Sequence, residues 1–112
     1  MIGWIILGLA ATALTVAYWD RIRDWLNTIV ADKIEKIFGY GARKRVHHAV
    51  SIADRFHDKI RNRLFVFVKK VDGTGYDKYM EKEARVIEDV EDAIVQEIDE
   101  KETLIEEFKY GE

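Results

Sequence analysis

The chain has 112 residues, a formal net charge of −3, no cysteine and no proline. The lack of cysteine excludes a disulfide framework and a thiolate metal site, and the lack of proline favours uninterrupted helices. Residues 43–70 carry nine Lys or Arg and two acids, whereas residues 71–112 carry five basic and fifteen acidic residues. This separation into a basic middle and an acidic final third says more about binding than the small net charge does.

The first nineteen residues are the longest apolar stretch. No charged side chain occurs from Ile2 to Trp19, and eighteen helical residues span about 27 Å, close to one bilayer core. Trp4 at one end and Tyr18 at the other suit the headgroup level. The pattern predicts a membrane-spanning helix over residues 1–19, with its Lys- and Arg-rich C-terminal side in the cytoplasm. A cleaved signal peptide and a buried core helix are the alternatives.

Small and hydroxyl residues recur inside this stretch. Gly8, Ala11, Thr12 and Thr15 are spaced so that they share one side of a helix, which lets helix backbones approach closely in lipid. A helix that spans the membrane alone exposes its threonine hydroxyls to lipid tails. These four residues are therefore predicted as the pore-lining and helix-packing positions of a homo-oligomer.

Residues 20–41 form the second predicted segment, a juxtamembrane amphipathic helix. Apolar residues from Ile22 to Phe38 recur at three- and four-residue steps, and Gly39 supplies a C-terminal stop. Without proline, this helix either continues straight from the membrane as a bundle or bends along the headgroups with Trp25 as an anchor.

Residues 42–112 are predicted to form a small cytosolic α+β domain. Residues 42–63 have apolar positions at helical spacing and a cationic opposite face. Like charges on one rigid face repel each other, and phosphate groups would relieve that repulsion through charge-assisted contacts. Alternatively, this face is solvated, pairs with the acidic final third, or binds anionic headgroups. The predicted ligand-binding residues are Arg43, Lys44, Arg45, His48, Arg55 and Lys59.

The sequence period changes at residue 64, where β-branched and aromatic residues predict a strand. Residues 72–75, DGTG, predict a turn, after which residues 76–87 fit either a returning strand or a helix. Residues 88–101 are predicted as a helix and residues 103–110 as a strand.

The chain carries no catalytic motif. It has no Walker loop, no GxSxG and no dinucleotide-binding glycine pattern. The three histidines have neither HExxH spacing nor cysteine partners, so no metal site and no other cofactor are predicted. Asp54 and Asp58 lie among cations and are predicted to be ion-pair partners rather than an acid/base pair. The protein is therefore predicted not to be an enzyme.

The predicted fold class is an oligomeric, single-pass α-helical membrane protein with a small cytosolic α+β domain, arranged as helix, β-hairpin, helix and strand. The layout of a minimal span, then GYGARKRVHH at residues 39–48, then a small domain resembles the channel-forming membrane effectors of the Hailong anti-phage defence system. The resemblance implies an oligomeric ion channel in a bacterial inner membrane, a nucleotidyltransferase encoded nearby and control by an oligodeoxyadenylate. It covers the plan of the whole chain without a diagnostic motif, so no site residue is carried over.

The resulting hypothesis is an ion channel or pore gated by a nucleotide or a short single-stranded nucleic acid bound at the basic cytosolic face. Its predicted partners are the lipid bilayer, further copies of the chain and that ligand. Two alternatives belong to other classes. One is a membrane-anchored interaction protein whose acidic final third docks a partner, and the other is a lysis or toxicity protein that needs no ligand.

Overall fold

One antiparallel sheet of six strands organises the protein in a computed structural model that describes residues 3–8, 11–88 and 90–111. The strands are β1 (Gly3–Leu7), β2 (Val46–Phe56), β3 (Lys59–Lys69), β4 (Tyr76–Met80), β5 (Arg85–Ile87) and β6 (Thr103–Gly111). The helices are α1 (Ala13–Ile29), α2 (Glu35–Phe38) and α3 (Asp92–Lys101). A π-helical turn, Val30–Ile34, joins α1 to α2, and a 3₁₀ turn, Ala42–Arg45, precedes β2.

The centre of the sheet is the hairpin of β2 and β3, which are eleven residues each. The strand order is β1-β6-β2-β3-β4, and β5 also pairs with β3, closer to the start of that strand. All pairings are antiparallel. The C-terminal strand β6 therefore lies between the N-terminal strand β1 and the central hairpin.

The helices pack against one face of this sheet, which we call the covered face. Along β3, alternate side chains are buried, as expected when one face of a strand lies on a core. Ile22, Leu26 and Ile29 of α1 are fully buried and fill the core above the strands. α3 adds Ile94 and Ile98 to a neighbouring cluster on the same face. The buried strand residues of these two clusters are Trp4, Val46, Ala49, Ala53, Ile60, Leu64, Val66, Val68, Tyr79, Leu104 and Phe108.

The predicted membrane-spanning helix over residues 1–19 is wrong. Gly3–Leu7 is a strand paired with β6, and α1 begins at Ala13 and continues past Asp20. Within the described residues, no helix is both long enough and apolar enough to cross a bilayer. The predictions of a single-pass membrane fold, an ion channel and an inner-membrane location are corrected accordingly. Residues 1, 2, 9 and 10 of the predicted span lie outside the described residues.

The apolar run instead supplies two elements with different periods. Gly8, just after β1, has φ +119, a conformation that glycine adopts readily and other residues rarely do. The Thr12 side chain accepts a hydrogen bond from the Thr15 N–H at 3.2 Å and so caps the start of α1. A strand and a core helix draw on the same apolar residues as a membrane span, and the run's length and apolarity alone did not separate them.

The predicted helix over residues 42–63 is also wrong, because these residues form the 3₁₀ turn, β2 and the start of β3. The register of β2 against β3 shifts between Val46 and His48. Val46 and Ala49 are therefore both buried although they are three residues apart. A three-residue step across such an irregularity imitates the spacing of a helix. Downstream, residues 76–87 form β4 and β5 rather than a helix.

A buried polar cluster fixes the start of α1. The Thr12 N–H donates to Glu106 Oε1 at 2.9 Å, and the Ala13 N–H donates to Glu97 Oε2 at 3.2 Å. Carboxylates at this position satisfy the unpaired N–H groups of a helix N-terminus and complement its dipole. Because Glu106 belongs to β6 and Glu97 to α3, the cluster ties three elements together.

If β1 belongs to the core, truncating its buried side chain should be costly. Trp4 is buried, its indole N–H donates to Asn27 Oδ1 at 3.0 Å, and its ring lies 4.6 Å from that of Tyr110. Trp4→Ala is expected to lower the free energy of unfolding by about 3 kcal/mol or more. Urea unfolding monitored by circular dichroism measures the change.

The matched control is Ile5→Ala. Ile5 is the next residue of the same strand, points to the opposite face and is 49% exposed, so its loss is expected to cost less than about 1 kcal/mol. Similar small effects of both substitutions would contradict the placement of β1 in the sheet.

Candidate functional site

Opposite the covered face, the sheet presents a second surface on which no helix of the described residues packs. We call it the outer face. Strand alternation assigns its side chains. They are Ile5, Leu7, His48, Val50, Ile52, Asp54, Phe56, Lys59, Arg61, Arg63, Phe65, Phe67, Lys69, Tyr76, Lys78, Met80, Val86, Thr103, Ile105, Glu107 and Lys109.

The outer face is basic, although the chain as a whole is acidic. Six of the residues named above are Lys or Arg and two are acids, whereas the formal net charge of the chain is −3. The acids are concentrated elsewhere, and α3 with the residues that flank it is one such place. Charge is therefore segregated in three dimensions, with the excess of cations on the open side of the sheet.

Aromatic rings collect at one end of the outer face. The His48 ring stacks on Phe67 with centroids 4.4 Å apart and planes 7° apart. Tyr76 lies edge-on to His48 at 5.1 Å and 5.0 Å from His47. We call His47, His48, Phe67 and Tyr76 the aromatic cluster. They come from three adjacent strands, so the sheet register itself brings the rings together.

Lysines surround the aromatic cluster. Lys78 of β4 lies with Nζ 5.5 Å from the ring centroid of Phe65, the next outer-face residue along β3. Lys109 of β6 is directly opposite His48 in the register. Lys69 ends β3 opposite Tyr76. Across the strands, two neighbouring rings, His48 and Phe67, are therefore flanked by a lysine on each side.

The 3₁₀ turn adds further positive charge at the same end. The Arg45 Nε–H donates to the backbone carbonyl of Lys69 at 3.0 Å, which holds the turn against the last residue of β3. Arg43 in that turn pairs with Glu35 at 3.2 Å. Within the described residues, Lys44 forms no ion pair and is exposed.

The protonation of His48 is set by its position in the aromatic cluster. Burial lowers the pKa of His48 below its usual 6.5, and nearby His47 lowers the pKa further, while Glu107 opposes both effects. The two Nδ1 atoms of His47 and His48 lie 2.9 Å apart, so one ring donates and the other accepts. A neutral His48 at pH 7 presents a flat ring for stacking rather than a fixed charge.

At the far end of the outer face, an internal ion pair offsets part of the positive charge. Arg61 donates to both carboxylate oxygens of Asp54, at 3.1 and 2.7 Å, and Arg63 lies 3.6 Å from the same carboxylate. The hydrogen bonds from Arg61 hold the pKa of Asp54 below its usual 3.8, and the charges of Arg61 and Arg63 add to this. The prediction that Asp54 is an ion-pair partner is confirmed, whereas Asp58 forms no ion pair within the described residues.

The six predicted ligand-binding residues are divided between the two ends of the β2–β3 hairpin. Arg43, Lys44, Arg45 and His48 lie in or just after the 3₁₀ turn. Arg55 and Lys59 lie at the opposite end, about 30 Å away by strand rise. There, Arg55 pairs with Asp99 at 3.6 Å and Lys59 pairs with Glu88 at 3.2 Å. The structure thus brings four of the six together and pairs the other two with the acidic final third.

The residues predicted for pore lining and helix packing surround the start of α1. Gly8 directly follows β1, and Ala11 precedes the capping residue Thr12. Thr15 is buried, and its hydroxyl is hydrogen-bonded to that of Thr12 at 3.0 Å. Their polar groups are therefore satisfied inside the protein by the helix cap.

Sequence reasoning missed the aromatic and lysine residues of the outer face, Phe65, Phe67, Tyr76, Lys78 and Lys109. The strand around Phe65 and Phe67 was predicted, and its alternation puts both rings on one side. That pattern does not say which side of the strand is covered by helices. The register of β2, β3 and β4 was needed to find the cluster.

Scans against protein-family models, curated proteins and solved structures each give no match for this chain. The resemblance to Hailong effectors therefore stays a prediction, and its membrane-spanning part is contradicted by the fold. Across residues 3–8, 11–88 and 90–111, no group of three or more His, Cys, Asp or Glu is placed to hold a metal ion. Function has to be inferred from the chemistry of the outer face.

The position of His48 predicts its titration. Because its pKa in the folded state lies below 6.5, more than half of the imidazole should be neutral at pH 6.5, and protonation should be completed only at lower pH. The unfolded chain then binds more protons, so this contribution to stability is complete above pH 6.5 and is lost as pH falls through the lowered pKa. A two-dimensional NMR titration of the ring protons measures the midpoint, and a midpoint at or above 6.5 would contradict the described packing.

The stability of the fold should also decrease at acid pH because of Asp54. Here the fold favours the charged form of the side chain, whereas for His48 it favours the neutral form. The depressed pKa of Asp54 means that the carboxylate stabilises the fold above its unfolded pKa of 3.8, and that this is lost as pH falls through the folded value. Asp54→Asn should therefore be destabilising at pH 7 and less destabilising at about pH 2, because protonation of Asp54 weakens the pair. Denaturant unfolding of both proteins tests this, and an equal difference in stability at both pH values would be inconsistent with the Asp54–Arg61 pair.

Proposed function

We propose that the protein is a binding module that takes single-stranded nucleic acid, or a short oligonucleotide, on the outer face of its sheet. It acts by binding and not by catalysis. The observation that carries the proposal is the aromatic cluster bordered by Lys69, Lys78 and Lys109 on the open, basic face of an acidic chain.

Stacking supplies the first part of the binding energy. Every nucleobase has a flat π face, so exposed aromatic rings bind bases with little dependence on sequence, at about 1–3 kcal/mol per base. Phe65, Phe67 and Tyr76 are each partly exposed on neighbouring strands. Open sheets with exposed rings of this kind stack about two or three bases.

Lysines around the rings supply the second part. A phosphate backbone that crosses the rings runs past Lys78 and Lys109, which lie on opposite sides of the β2–β3 hairpin. Each neutralised phosphate releases condensed counterions, so binding should weaken as salt rises. Neither lysine forms an ion pair with another described residue.

The acidic residues orient the ligand by repulsion. α3 and its flanks carry the carboxylates Glu91, Asp92, Glu97, Asp99, Glu100 and Glu102. A polyanion is repelled from this side of the molecule and attracted to the outer face. Glu88 and Asp99 of the acidic third pair with cations of this chain, so these two acids are not free to dock a basic partner.

Loss of one central ring should weaken oligonucleotide binding strongly. Phe67→Ala is expected to reduce the affinity for fluorescein-labelled dT10 by about 5- to 150-fold, which corresponds to loss of one stacked base. Fluorescence anisotropy at low salt measures it. Phe56→Ala is the matched control, because Phe56 is 44% exposed and lies at the other end of β2. Equal effects of the two substitutions, or no binding of dT10 by the unaltered protein, would refute the proposed function.

The salt dependence of dT10 binding should show whether the lysines of the outer face contact phosphates. Lys78→Gln and Lys109→Gln are each expected to reduce the slope of log affinity against log salt by about 0.7 for dT10. Lys101→Gln removes the same charge from α3 and should leave the slope unchanged. An identical slope in all three variants would place the nucleic acid away from the outer face. A change caused by Lys101→Gln alone would favour a site on the acidic third.

A further inference from the structure

A cleft between α1 and β5 lies apart from the aromatic cluster. Its volume is about 640 Å³, within the range of small-ligand sites. β5 pairs with the start of β3 at Ile60–Asn62, about 20 Å by strand rise from Phe67. The cleft is lined by Tyr18, Arg21, Arg85, Val86, Ile87 and Glu88.

The side chain of Arg85 is positioned by a contact with α1. Arg85 is opposite the buried Asn62 in the register of β3 and β5, so its side chain starts on the covered face. Its guanidinium carbon lies 4.8 Å from the ring centroid of Trp25 in α1. Stacking on an aromatic ring fixes the plane of the guanidinium and leaves its N–H groups directed along the edges. Arg85 is therefore a half-buried and pre-organised donor.

Arg21 brings a second guanidinium to the same cleft. It lies one helical turn before Trp25, with its guanidinium carbon 5.7 Å from the ring centroid of Tyr18. Burial lowers the pKa of Arg85, and the charge of Arg21 lowers it further. Two like charges in one cleft are unfavourable unless an anion joins them.

The carboxylates of the described chain do not supply that anion. Neither Arg21 nor Arg85 forms an ion pair with a carboxylate in residues 3–8, 11–88 and 90–111, whereas neighbouring Arg23 pairs with Asp20 at 3.2 Å. Glu88 lines the cleft, but its carboxylate pairs with Lys59 at 3.2 Å and is largely exposed. Within these described residues, neither guanidinium group has a carboxylate partner.

We propose that this cleft binds a phosphate monoester, with its dianionic group between Arg21 and Arg85. The guanidinium fork matches phosphate oxygens in a bidentate arrangement, and two such groups suit a charge of about −2. The cleft is much larger than one phosphate group, and the rest of its wall includes Tyr18 and the apolar residue Ile87, which lies on the covered face opposite Ile60. The ester group of the ligand therefore lies against this apolar wall.

Phenyl phosphate is the probe, since it combines the dianion with a ring of suitable size. Isothermal titration calorimetry at pH 8 is expected to show tighter binding of phenyl phosphate than of inorganic phosphate, and no binding of phenol. Arg85→Lys, which keeps the charge but loses the fork, should weaken phenyl phosphate by at least about tenfold, one lost charge-assisted contact. Arg21→Gln, at an exposed position, should weaken it without a change in thermal unfolding.

Two controls separate this site from the outer face. Arg23→Gln removes a nearby paired cation and should leave phenyl phosphate binding unchanged. Phe67→Ala should also leave it unchanged, while Arg85→Lys should leave dT10 binding unchanged. The inference is overturned if the unaltered protein does not bind phenyl phosphate, if inorganic phosphate binds equally well, or if Arg21→Gln and Arg85→Lys both retain full affinity.

Discussion

Burial of α1 against one face of the sheet is the interaction on which the rest of the molecule depends. Ile22, Leu26 and Ile29 are each almost completely buried, and full burial of such a side chain contributes about 1.5–3 kcal/mol. Because the helices of the described chain lie on that single face, the other face keeps its rings and cations accessible. A one-sided sheet therefore separates the part of the chain that stabilises the fold from the part that meets a ligand.

The same packing separates the charges. The carboxylates of Glu97 and Glu106 lie at the N-terminus of α1, where they accept hydrogen bonds from backbone N–H groups. These two negative charges therefore stabilise the start of the helix. Other acids of the final third pair with Arg55 and Lys59 at one end of the hairpin. The cations of the 3₁₀ turn and of the outer face then dominate the opposite end. A sequence with a small net charge thereby becomes a molecule with a distinct basic surface.

The sequence predicts the second half of the fold better than the first. β-branched and aromatic residues indicate β3, and the DGTG turn follows its end. α3 lies within the helix predicted over residues 88–101, and β6 ends one residue after the strand predicted over residues 103–110. The prediction for the apolar run before Asp20 is wrong because a strand, a core helix and a membrane span draw on the same residue types. The helix prediction around Val46 and Ala49 is wrong because the shifted register of β2 against β3 gives buried residues the spacing of a helix. The site was only partly predictable, since the side of a strand that stays open depends on contacts distant in sequence.

The most direct test of an open, ligand-binding outer face is a backbone amide NMR titration with unlabelled dT10. The largest chemical-shift changes are expected at His48, Phe67 and Lys78 and at their cross-strand neighbours, while amides in the middle of α1 and α3 stay unchanged. Changes centred on α3, or changes spread evenly over both faces of the sheet, would contradict the separation of the covered face from a nucleic-acid-binding face.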